Sequence, residues 1–435
     1  MRAAAQPETR ALTSAQILAY GLPGLPLAVL LLPLFVIIPT FYADDLGLGL
    51  ATVGGVLFFA RIWDVVSDPL IGMLSDRTRT RFGQRRPWLV VGAPIAMLGT
   101  WALFNPPADV TGGYLLVATL ALYLGGTMIM LPYTAWAAEL SPHHHERSRI
   151  AAAREIAIVL GTLCAIALPA GLGLTRGEIV SGTATALLIL IPVTVLIAVV
   201  SLPDPLPERP ARCPGWQGLR TLWRNRPFRY LVSAYFVNGV AYGLPATLFL
   251  LYAEYILGSP DSAWILLIVY FASAILALPL WLALSRKIGK RRTWIVAMML
   301  AAAGFWPAVL LGDGDIYWFV AICIITGAPL GAELVMPPSM QADVVDIDAR
   351  SNGVRRTGTM FGVWGVATKV PLAVGVGIAF PLLQASGFDP AAPSNSASAL
   401  FVLAALYGLL PVIFKLCAIL IMARYPDQTT GTINP

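Results

Sequence analysis

Long apolar stretches separated by short polar breaks dominate the chain. Each stretch is close to the roughly 20 residues that an α-helix needs to cross the hydrocarbon core of a bilayer. The breaks between them are rich in charged residues, glycine and proline. The pattern predicts twelve spanning helices, numbered in chain order, at residues 17–42, 50–74, 87–105, 112–139, 149–173, 179–202, 228–255, 263–284, 293–311, 316–336, 357–385 and 398–423.

The longest polar break falls at the middle of the chain. It covers residues 203–227 and contains a Pro-Asp-Pro sequence and several arginines, which are loop signals. It divides six predicted helices from six. We therefore expect an all-α membrane protein with a six-helix bundle at 1–202, a linker at 203–227 and a second six-helix bundle at 228–435.

Composition excludes several other classes of protein. Hydrophobic residues make up 57% of the 435 residues and charged residues 12%, about half the charged share of a soluble domain. A disordered chain, a disulfide-rich secreted scaffold and an ordinary soluble enzyme are therefore excluded. The three histidines are consecutive, at 143–145, and neighbouring side chains do not converge on one metal. We expect no metal site, no cofactor and no enzymatic activity.

The positive charges predict the orientation in the membrane. Of the 29 Lys and Arg residues, 24 fall in loops on the side of the two termini, one falls in a loop on the other side and four lie inside predicted helices. Cytoplasmic loops carry an excess of Lys and Arg, so we expect both termini and the linker in the cytoplasm. No basic face is interleaved with aromatic residues, and we expect no nucleic-acid partner despite the net charge of +6.

The chain contains an internal repeat. Residues 83–90 read Gly-Gln-Arg-Arg-Pro-Trp-Leu-Val, and residues 289–296, offset by 206 positions, read Gly-Lys-Arg-Arg-Thr-Trp-Ile-Val. Both stretches precede an odd-numbered predicted helix on the cytoplasmic side. This match predicts a duplicated six-helix unit, an architecture that many secondary transporters share.

Charged side chains inside the predicted helices are the first candidates for function, because burying a charge is costly unless it is paired or hydrated. Helix 2 carries Arg61, Asp64 and Asp68, and spacings of three and four place them on one helical face. The two acids could share a Na⁺, or one could hold a proton; alternatively, all three form a structural network. Lys369, near the middle of helix 11, and Arg61 are the candidate coupling residues.

Other polar and aromatic residues complete the candidate sites. Arg154 and Glu155 are adjacent in helix 5, so we expect them to face different ways, one toward a cavity and one toward a gate. Lys415 lies nearer the cytoplasmic end of helix 12, where a lysine can reach the interface. The further candidates for a substrate cavity are Trp364, Tyr242 and Asn238. The candidates for a cytoplasmic gate are Asp76, Arg77, Arg85, Arg86, Glu139, Arg147, Asp343 and Asp346.

A family resemblance rests on several of these stretches. The residues that carry it are Arg61–Asp64, Asp68–Gly72, Ser75–Arg79, Gly83–Trp88, Leu131–Ala135, Glu146–Arg149, Arg154, Ser339–Asp346 and Lys369. With them the chain resembles the glycoside–pentoside–hexuronide:cation symporters, a branch of the major facilitator superfamily that includes melibiose permease. The resemblance spans nearly the whole chain and implies the major facilitator fold.

The resemblance also implies roles for individual residues. It implies cation binding by Asp64 and Asp68, coupling through Lys369, and a place beside the substrate cavity for Arg154. Melibiose permease has sugar-binding acidic residues at two places where this chain has Ala28 and Met130. These two departures remove carboxylates that would bind sugar hydroxyls, and they weigh against a galactoside.

The sequence therefore predicts a secondary active transporter that works by alternating access. It couples Na⁺ or H⁺ to symport of a sugar or glycoside-like solute; the alternative is a lysophospholipid or another amphipathic substrate, because the vertebrate lysophospholipid symporters share the helix 2 acids and the helix 11 lysine. We expect a multi-pass protein of a bacterial inner membrane, monomeric and surrounded by lipid.

Neutralising either acid of helix 2 provides a test. We expect Asp64→Asn or Asp68→Asn to abolish gradient-driven uptake while sparing exchange of substrate, because the driving cation loses a ligand. Uptake into proteoliposomes is the measurement. Accumulation by Asp68→Asn at the wild-type level would contradict a cation site on helix 2.

Overall fold

The computed structural model describes residues 12–107, 109–141, 144–172, 176–203, 222–352, 356–388 and 395–426. These residues form helices joined by short turns, and an isolated β-bridge links Thr80 to Gly83. After the broken first segment, α1, the helices are α2 (Leu50–Arg77), α3 (Arg86–Phe104), α4 (Gly112–Leu140), α5 (His144–Leu172), α6 (Arg176–Ser201), α7 (Arg226–Tyr255), α8 (Ala263–Ile288), α9 (Lys290–Phe305), α10 (Ile316–Asn352), α11 (Thr357–Ala385) and α12 (Ala397–Ala423).

The first segment is not one regular helix. It consists of α1a (Ser14–Gly21) and α1b (Gly24–Leu32), followed by two π-helical turns, Pro33–Ile37 and Phe41–Asp45, around a short α-helical turn, Ile38–Thr40. Proline removes a backbone donor and crowds the preceding turn, which explains the break at Pro23 and the irregular winding from Pro33. The first segment is thus broken at its glycine and proline residues.

Nine of the described helices are long and apolar enough to cross a membrane. They are α3, α4 and α6 to α12, so the broken first segment, α2 and α5 are not among them. Both α2 and α5 contain charged residues in their interior, including Asp64 and Asp68 in α2 and Arg154 in α5. The all-helical class is as expected, and the total of twelve spans with cytoplasmic termini stays a prediction.

The chain divides into two compact units. The first comprises residues 1–212 together with 345–362, and the second comprises 213–344 together with 363–435. The first unit therefore includes the end of α10 and the start of α11, a grouping that the sequence analysis did not anticipate. The predicted linker lies largely outside the described residues, so the predicted bundle boundaries stay a prediction.

The first unit has a core in which α3 and α4 approach each other very closely. A Cβ built on Gly125 of α4 would lie 2.2 Å from the backbone nitrogen of Ala96, and one built on Gly99 of α3 would lie 2.4 Å from that of Leu122. Small residues at such crossings let backbones pack tightly, which is a main source of helix association in membranes. The α3–α4 pair is thus a closely packed part of the first unit.

The second unit has an aromatic core of its own. Tyr252 of α7 stacks on Tyr407 of α12 with 4.2 Å between ring centroids and on Phe319 of α10 with 5.2 Å. The Tyr252 hydroxyl donates to the Ala308 carbonyl at 2.5 Å, which satisfies its one buried donor. Stacked rings of this kind fix the relative rotation of three helices around one point.

The close approach at Gly125 generates a prediction about stability. Gly125→Ala would place a methyl group against backbone atoms that cannot move aside, so we expect a loss of about 1–3 kcal/mol. The matched control is Gly126→Ala, because a Cβ at Gly126 has no heavy atom within 4 Å. Thermal unfolding in one detergent compares them, and equal melting temperatures would contradict the packing described.

Candidate functional site

The acidic face of α2 is buried in the first unit. Asp64 is 4% exposed and Asp68 is 1% exposed, and the Thr127 hydroxyl of α4 lies 3.2 Å from an Oδ1 atom of each. The Nη1 atom of Arg61, at the more exposed edge, lies 3.6 Å from Asp64 Oδ2. We call Arg61, Asp64, Asp68 and Thr127 the acidic cluster.

The chemistry of the acidic cluster suits a hard cation. Carboxylate and hydroxyl oxygens are the ligands that such ions prefer. The Thr127 hydroxyl has one hydrogen, so it can donate to one carboxylate at a time while its lone pairs stay available to an ion. Among the described residues, no group of three His, Cys, Asp or Glu side chains could hold a metal ion.

Sequence reasoning missed Thr127. It is not ionisable, and a threonine in an apolar helix ordinarily bonds to a backbone carbonyl of its own helix, as Thr119 does to Leu115 at 2.7 Å. Nothing in the sequence shows that α4 turns Thr127 toward α2. Its neighbours Gly125 and Gly126 are the available signal, since two adjacent glycines indicate close helix packing.

A second cluster lies at the end of α2. Arg85, which is fully buried, donates from Nη2 to Asp76 Oδ1 at 2.9 Å and to Glu139 Oε1 at 2.6 Å. Its Nη1 atom donates to the Ser75 hydroxyl at 2.6 Å. Burial alone would lower the pKa of the Arg85 guanidinium, but the carboxylates of Glu139 and Asp76 raise it above its ordinary value. One cation therefore joins the ends of α2 and α4.

Asp76 also caps the start of α11. Its carboxylate accepts the backbone N–H groups of Gly358 at 2.6 Å and Thr359 at 2.7 Å, and the Thr359 hydroxyl at 2.8 Å. The first N–H groups of a helix have no partner within it, and the helix dipole favours a negative charge there. A Cβ on Gly72 would lie 2.3 Å from the Gly358 carbonyl oxygen, so glycine at both positions lets the backbones meet. We call Asp76, Arg85, Glu139, Gly358 and Thr359 the Asp76 cluster.

Two further ion pairs involve the segment 345–362, one with α5 and one within the segment. Arg147 Nη2 lies 2.5 Å from Asp346 Oδ2, while its Nε atom donates to the Ser141 carbonyl at 2.8 Å. Arg356 is 2% exposed and binds both oxygens of Asp348, at 2.8–3.0 Å. The end of α10 and the start of α11 are thus tied to each other and to α5.

The two copies of the repeated sequence make matching contacts. Arg85 binds Glu139 near the end of α4, and Lys290 binds Asp343 of α10 at 2.7 Å. The structure thus brings two of the predicted gate acids, Glu139 and Asp343, against basic residues of the repeat. Arg77, a further predicted gate residue that precedes the first copy, is exposed at the end of α2.

The next basic residue of each copy binds the end of the unit's last helix. Arg86 donates to the Leu202 carbonyl after α6, and Arg291 donates to the Met422 carbonyl at the end of α12 at 3.0 Å. By the contact that it makes, Arg86 therefore corresponds to Arg291. The alignment of the two repeated sequences instead pairs Arg85 with Arg291. The contacts are shifted by one residue because α9 begins directly after Gly289, whereas two residues separate Gly83 from α3.

The residues predicted to line a substrate cavity fall into several environments. Ala28 is 1% exposed, and Met130 is half-buried against the core of the first unit. Trp364 is buried and stacks on Tyr235 with 3.9 Å between centroids. Tyr242 and Lys369 are half-buried in the second unit.

Two expectations about charged residues were wrong. Arg154 and Glu155 do not face different ways: Arg154 Nε donates to Glu155 at 3.1 Å, because both side chains are buried and the pair neutralises itself. Lys415 does not reach the interface: it is 3% exposed and binds Glu333 Oε1 at 2.7 Å. Asn238 donates to the same Glu333 at 2.8 Å.

Comparison with known proteins places this arrangement in a family. A family model described as MFS/sugar transport protein matches residues 19–427, and the chain belongs to this family. The resemblance to the symporter branch of the major facilitator superfamily is thereby confirmed. The protein is a multi-pass membrane transporter.

Individual relatives support the same conclusion. The glucuronide carrier protein homolog of Escherichia coli is 26% identical over 406 residues, covering 89% of this chain and 87% of that protein. The human sodium-dependent lysophosphatidylcholine symporter 1 is 24% identical, covering 85% of this chain and 75% of that protein. The crystal structure of the E. coli fucose:proton symporter matches with a TM-score of 0.70 at 12% identity, covering 95% and 98% of the two chains, which shows the major facilitator fold.

The Asp76 cluster generates a prediction about stability. Arg85→Met removes the one cation that Asp76 and Glu139 share, and stranding buried charges costs about 3–5 kcal/mol. Arg85→Lys keeps the charge but not the forked geometry, so we expect an intermediate loss. The control Arg81→Met changes an exposed arginine and should stay within about 0.5 kcal/mol. Melting temperatures in detergent are the measurement, and equal values for the Arg85 and Arg81 variants would refute the cluster's role.

Proposed function

We propose that the protein is a cation-coupled symporter of a bacterial inner membrane, with twelve spanning helices in two six-helix bundles and both termini in the cytoplasm. The acidic cluster is the observation that carries the proposal. Two buried carboxylates within 3.2 Å of one hydroxyl oxygen form an expensive arrangement inside a membrane, and intramembrane acids of this kind mark ion pathways. The coupling ion, Na⁺ or H⁺, is transported together with the substrate and is not a resident cofactor.

The acidic cluster binds the coupling ion in this proposal, with Asp64, Asp68 and Thr127 as ligands. Arg61 and Lys369 act in coupling. A Na⁺ would use all three oxygens, whereas a proton would use one carboxylate and leave Thr127 to bond to the other. No further cofactor is needed, and transport rather than catalysis is the activity.

The Asp76 cluster is the proposed cytoplasmic gate. It shares α2 with the acidic cluster, since Asp68 and Asp76 are about two turns apart. The start of α11 packs along this stretch, because a Cβ on Gly362 would lie 3.0 Å from the Asp68 carbonyl oxygen and Gly358 meets Gly72. A change in α2 on ion binding thus acts on the contacts of Asp76. Alternating access follows if ion and substrate together shift the equilibrium between closed and open gates.

A sugar or glycoside is the first candidate substrate. The family description and the glucuronide carrier homolog support a solute with hydroxyl groups. Arg154, Trp364 and Tyr242 are the proposed cavity residues, since an aromatic ring can stack on a sugar face and a guanidinium can bind oxygen atoms. Monomeric function in lipid is part of this proposal.

An amphipathic lipid is the second candidate substrate. A small cavity inside the first unit is lined almost entirely by apolar groups, including Pro23, Leu27 and Ile129. The neighbouring positions Ala28 and Met130 are apolar as well. Apolar surfaces of this kind favour contact with an acyl chain over contact with a sugar, and the lysophosphatidylcholine symporter is among the relatives.

Uptake into proteoliposomes tests the proposed function. A panel of glycosides and lysophospholipids is offered with Na⁺ and proton gradients imposed separately. We expect one gradient to drive accumulation of one substrate class. Equal uptake with and without either gradient would exclude cation coupling.

A threonine pair tests the ion ligands. Thr127→Val removes a ligand oxygen at nearly constant volume, so we expect the cation concentration for half-maximal uptake to rise about tenfold, equivalent to about 1.4 kcal/mol. Thr119→Val, two turns away on α4, removes a hydroxyl that bonds only within its own helix and should leave that concentration unchanged. An identical shift in both variants would remove Thr127 from the site.

A further inference from the structure

The second unit contains a buried polar group that the proposed mechanism does not use. Asn238 of α7, Glu333 of α10 and Lys415 of α12 are 5%, 6% and 3% exposed. Lys415 Nζ donates to both Glu333 oxygens at 2.7 Å and to Asn238 Oδ1 at 3.2 Å, while Asn238 Nδ2 donates to Glu333 Oε2 at 2.8 Å. We call these three residues the Lys415 triad.

Stability alone does not account for the Lys415 triad. Removing two charges from water costs several kcal/mol per ion, and well-packed apolar residues of similar volume stabilise a protein equally well or better. An ionisable residue inside a membrane-spanning segment is by default a functional candidate. The three helices are also already joined by an apolar contact, because Tyr252, Phe319 and Tyr407 stack together. The charges add a polar centre that the packing does not require.

The surroundings of the triad suit a polar solute. Tyr242 lies one turn after Asn238 on α7, so both side chains share a face, and it is half-buried. Tyr270 of α8 packs against α10, because a Cβ on Gly327 would lie 2.3 Å from the Tyr270 carbonyl oxygen. The Tyr242 phenol and the second N–H of Asn238 therefore supply hydrogen-bonding groups beside the charged pair.

The other titratable groups of the packing helices are phenols, charges further along the helices, and Lys369. Tyr242, Tyr270 and Tyr407 are phenols, uncharged at neutral pH. Asp343, the next acid along α10, lies about 15 Å further on the helix and is bound to Lys290. Lys369 is the half-buried cation of α11. The charged residues in the end turns of α7, α8 and α9 are Arg226, Arg229, Glu254, Arg286, Lys287, Lys290, Arg291 and Arg292.

We infer that Lys415 is the anchor for an anionic group of the transported solute, and that Glu333 takes up a proton when that group replaces it on the ammonium. The inference rests on the proposed symport function. The ligand chemistry is a single negative charge on oxygen, as in the carboxylate of a hexuronide or the phosphodiester of a lysophospholipid. Asn238 orients the ammonium through its carbonyl oxygen.

Charge balance requires that one proton is taken up when the anion binds. A buried ammonium is neutralised by one anion, and a second unpaired carboxylate beside it would be a stranded buried charge. When the solute anion binds Lys415 Nζ, the displaced Glu333 carboxylate therefore gains one proton from water and becomes a neutral acid that can donate to Asn238 or to the solute. One anion and one proton enter together, and the site keeps its net charge of zero.

Binding to the full-length protein in lipid nanodiscs tests the inference with matched ligands. Methyl β-D-glucuronide and methyl β-D-glucoside differ in one carboxylate, and lysophosphatidylglycerol and monoacylglycerol differ in one anionic phosphodiester headgroup. For whichever pair binds, we expect the affinity of the anionic member to rise up to about tenfold for each unit of falling pH, as one linked proton requires. The uncharged member should show no pH dependence.

Variants separate the two roles. Glu333→Gln mimics the protonated acid, so we expect its affinity for the anion to equal the low-pH wild-type value at every pH. Lys415→Met should abolish the preference for the anionic member, and Lys287→Met, the same change at an exposed lysine at the end of α8, should not. If a single variant fails to fold, the double variant Glu333→Gln with Lys415→Met leaves no stranded charge, and it should bind both members of the pair equally.

Several outcomes would overturn the inference. One is an anion preference that survives in Lys415→Met or in the double variant, and another is a wild-type affinity that does not change with pH. Absence of binding by all four ligands would also overturn it. Stabilisation by the coupling cation, measured in the same nanodiscs and lost in Thr127→Val, would then show that the cation site of the proposed function stands by itself.

Discussion

The constraint on which this structure depends is that a charge inside an apolar bundle must have a partner. The described helices carry few charges between their ends, and these charges occur in groups. Asp64 lies beside Arg61 and Thr127, Arg154 pairs with Glu155, and Lys415 pairs with Glu333. Arg154 with Glu155 and Lys415 with Glu333 are one-to-one ion pairs. The acidic cluster instead brings two buried carboxylates to one hydroxyl, and this concentration of oxygen ligands makes it the candidate for an ion.

The second organising feature is the shared use of α2. Asp68 faces Thr127, and Asp76, two turns further along, binds Arg85 and the first N–H groups of α11. A single helix thus carries both the ion ligands and the gate contacts, with Pro69 between Asp68 and Asp76. A displacement of α2 would reach both groups without an additional connecting network.

Much of the fold could be predicted from the sequence, because a membrane gives each helix the same simple signal. Long apolar runs located most helix ends within a few residues, and the spacing of Arg61, Asp64 and Asp68 indicated one face. The end of α10 was wrong: the helix continues past residue 336 to Asn352 through a polar stretch that hydropathy reads as a loop. The contacts of Lys415 could not be predicted, because its position in the sequence does not show that Asn238 of α7 and Glu333 of α10 pack beside it. Thr127 was missed for the same reason: the rotation of α4 about its axis depends on the α3–α4 packing at Gly99 and Gly125, a property of two helices together.

The cap on α11 sets an energy scale for opening the gate. A side chain that caps a helix contributes about 1–2 kcal/mol, which corresponds to a factor of about 5–30 between two populations. If the Asp76 cap were the main difference between closed and open gates, the closed form would be favoured by no more than that factor. A bound ion or solute with a modest preference for the open form could then reverse the balance, so the gate is biased rather than locked.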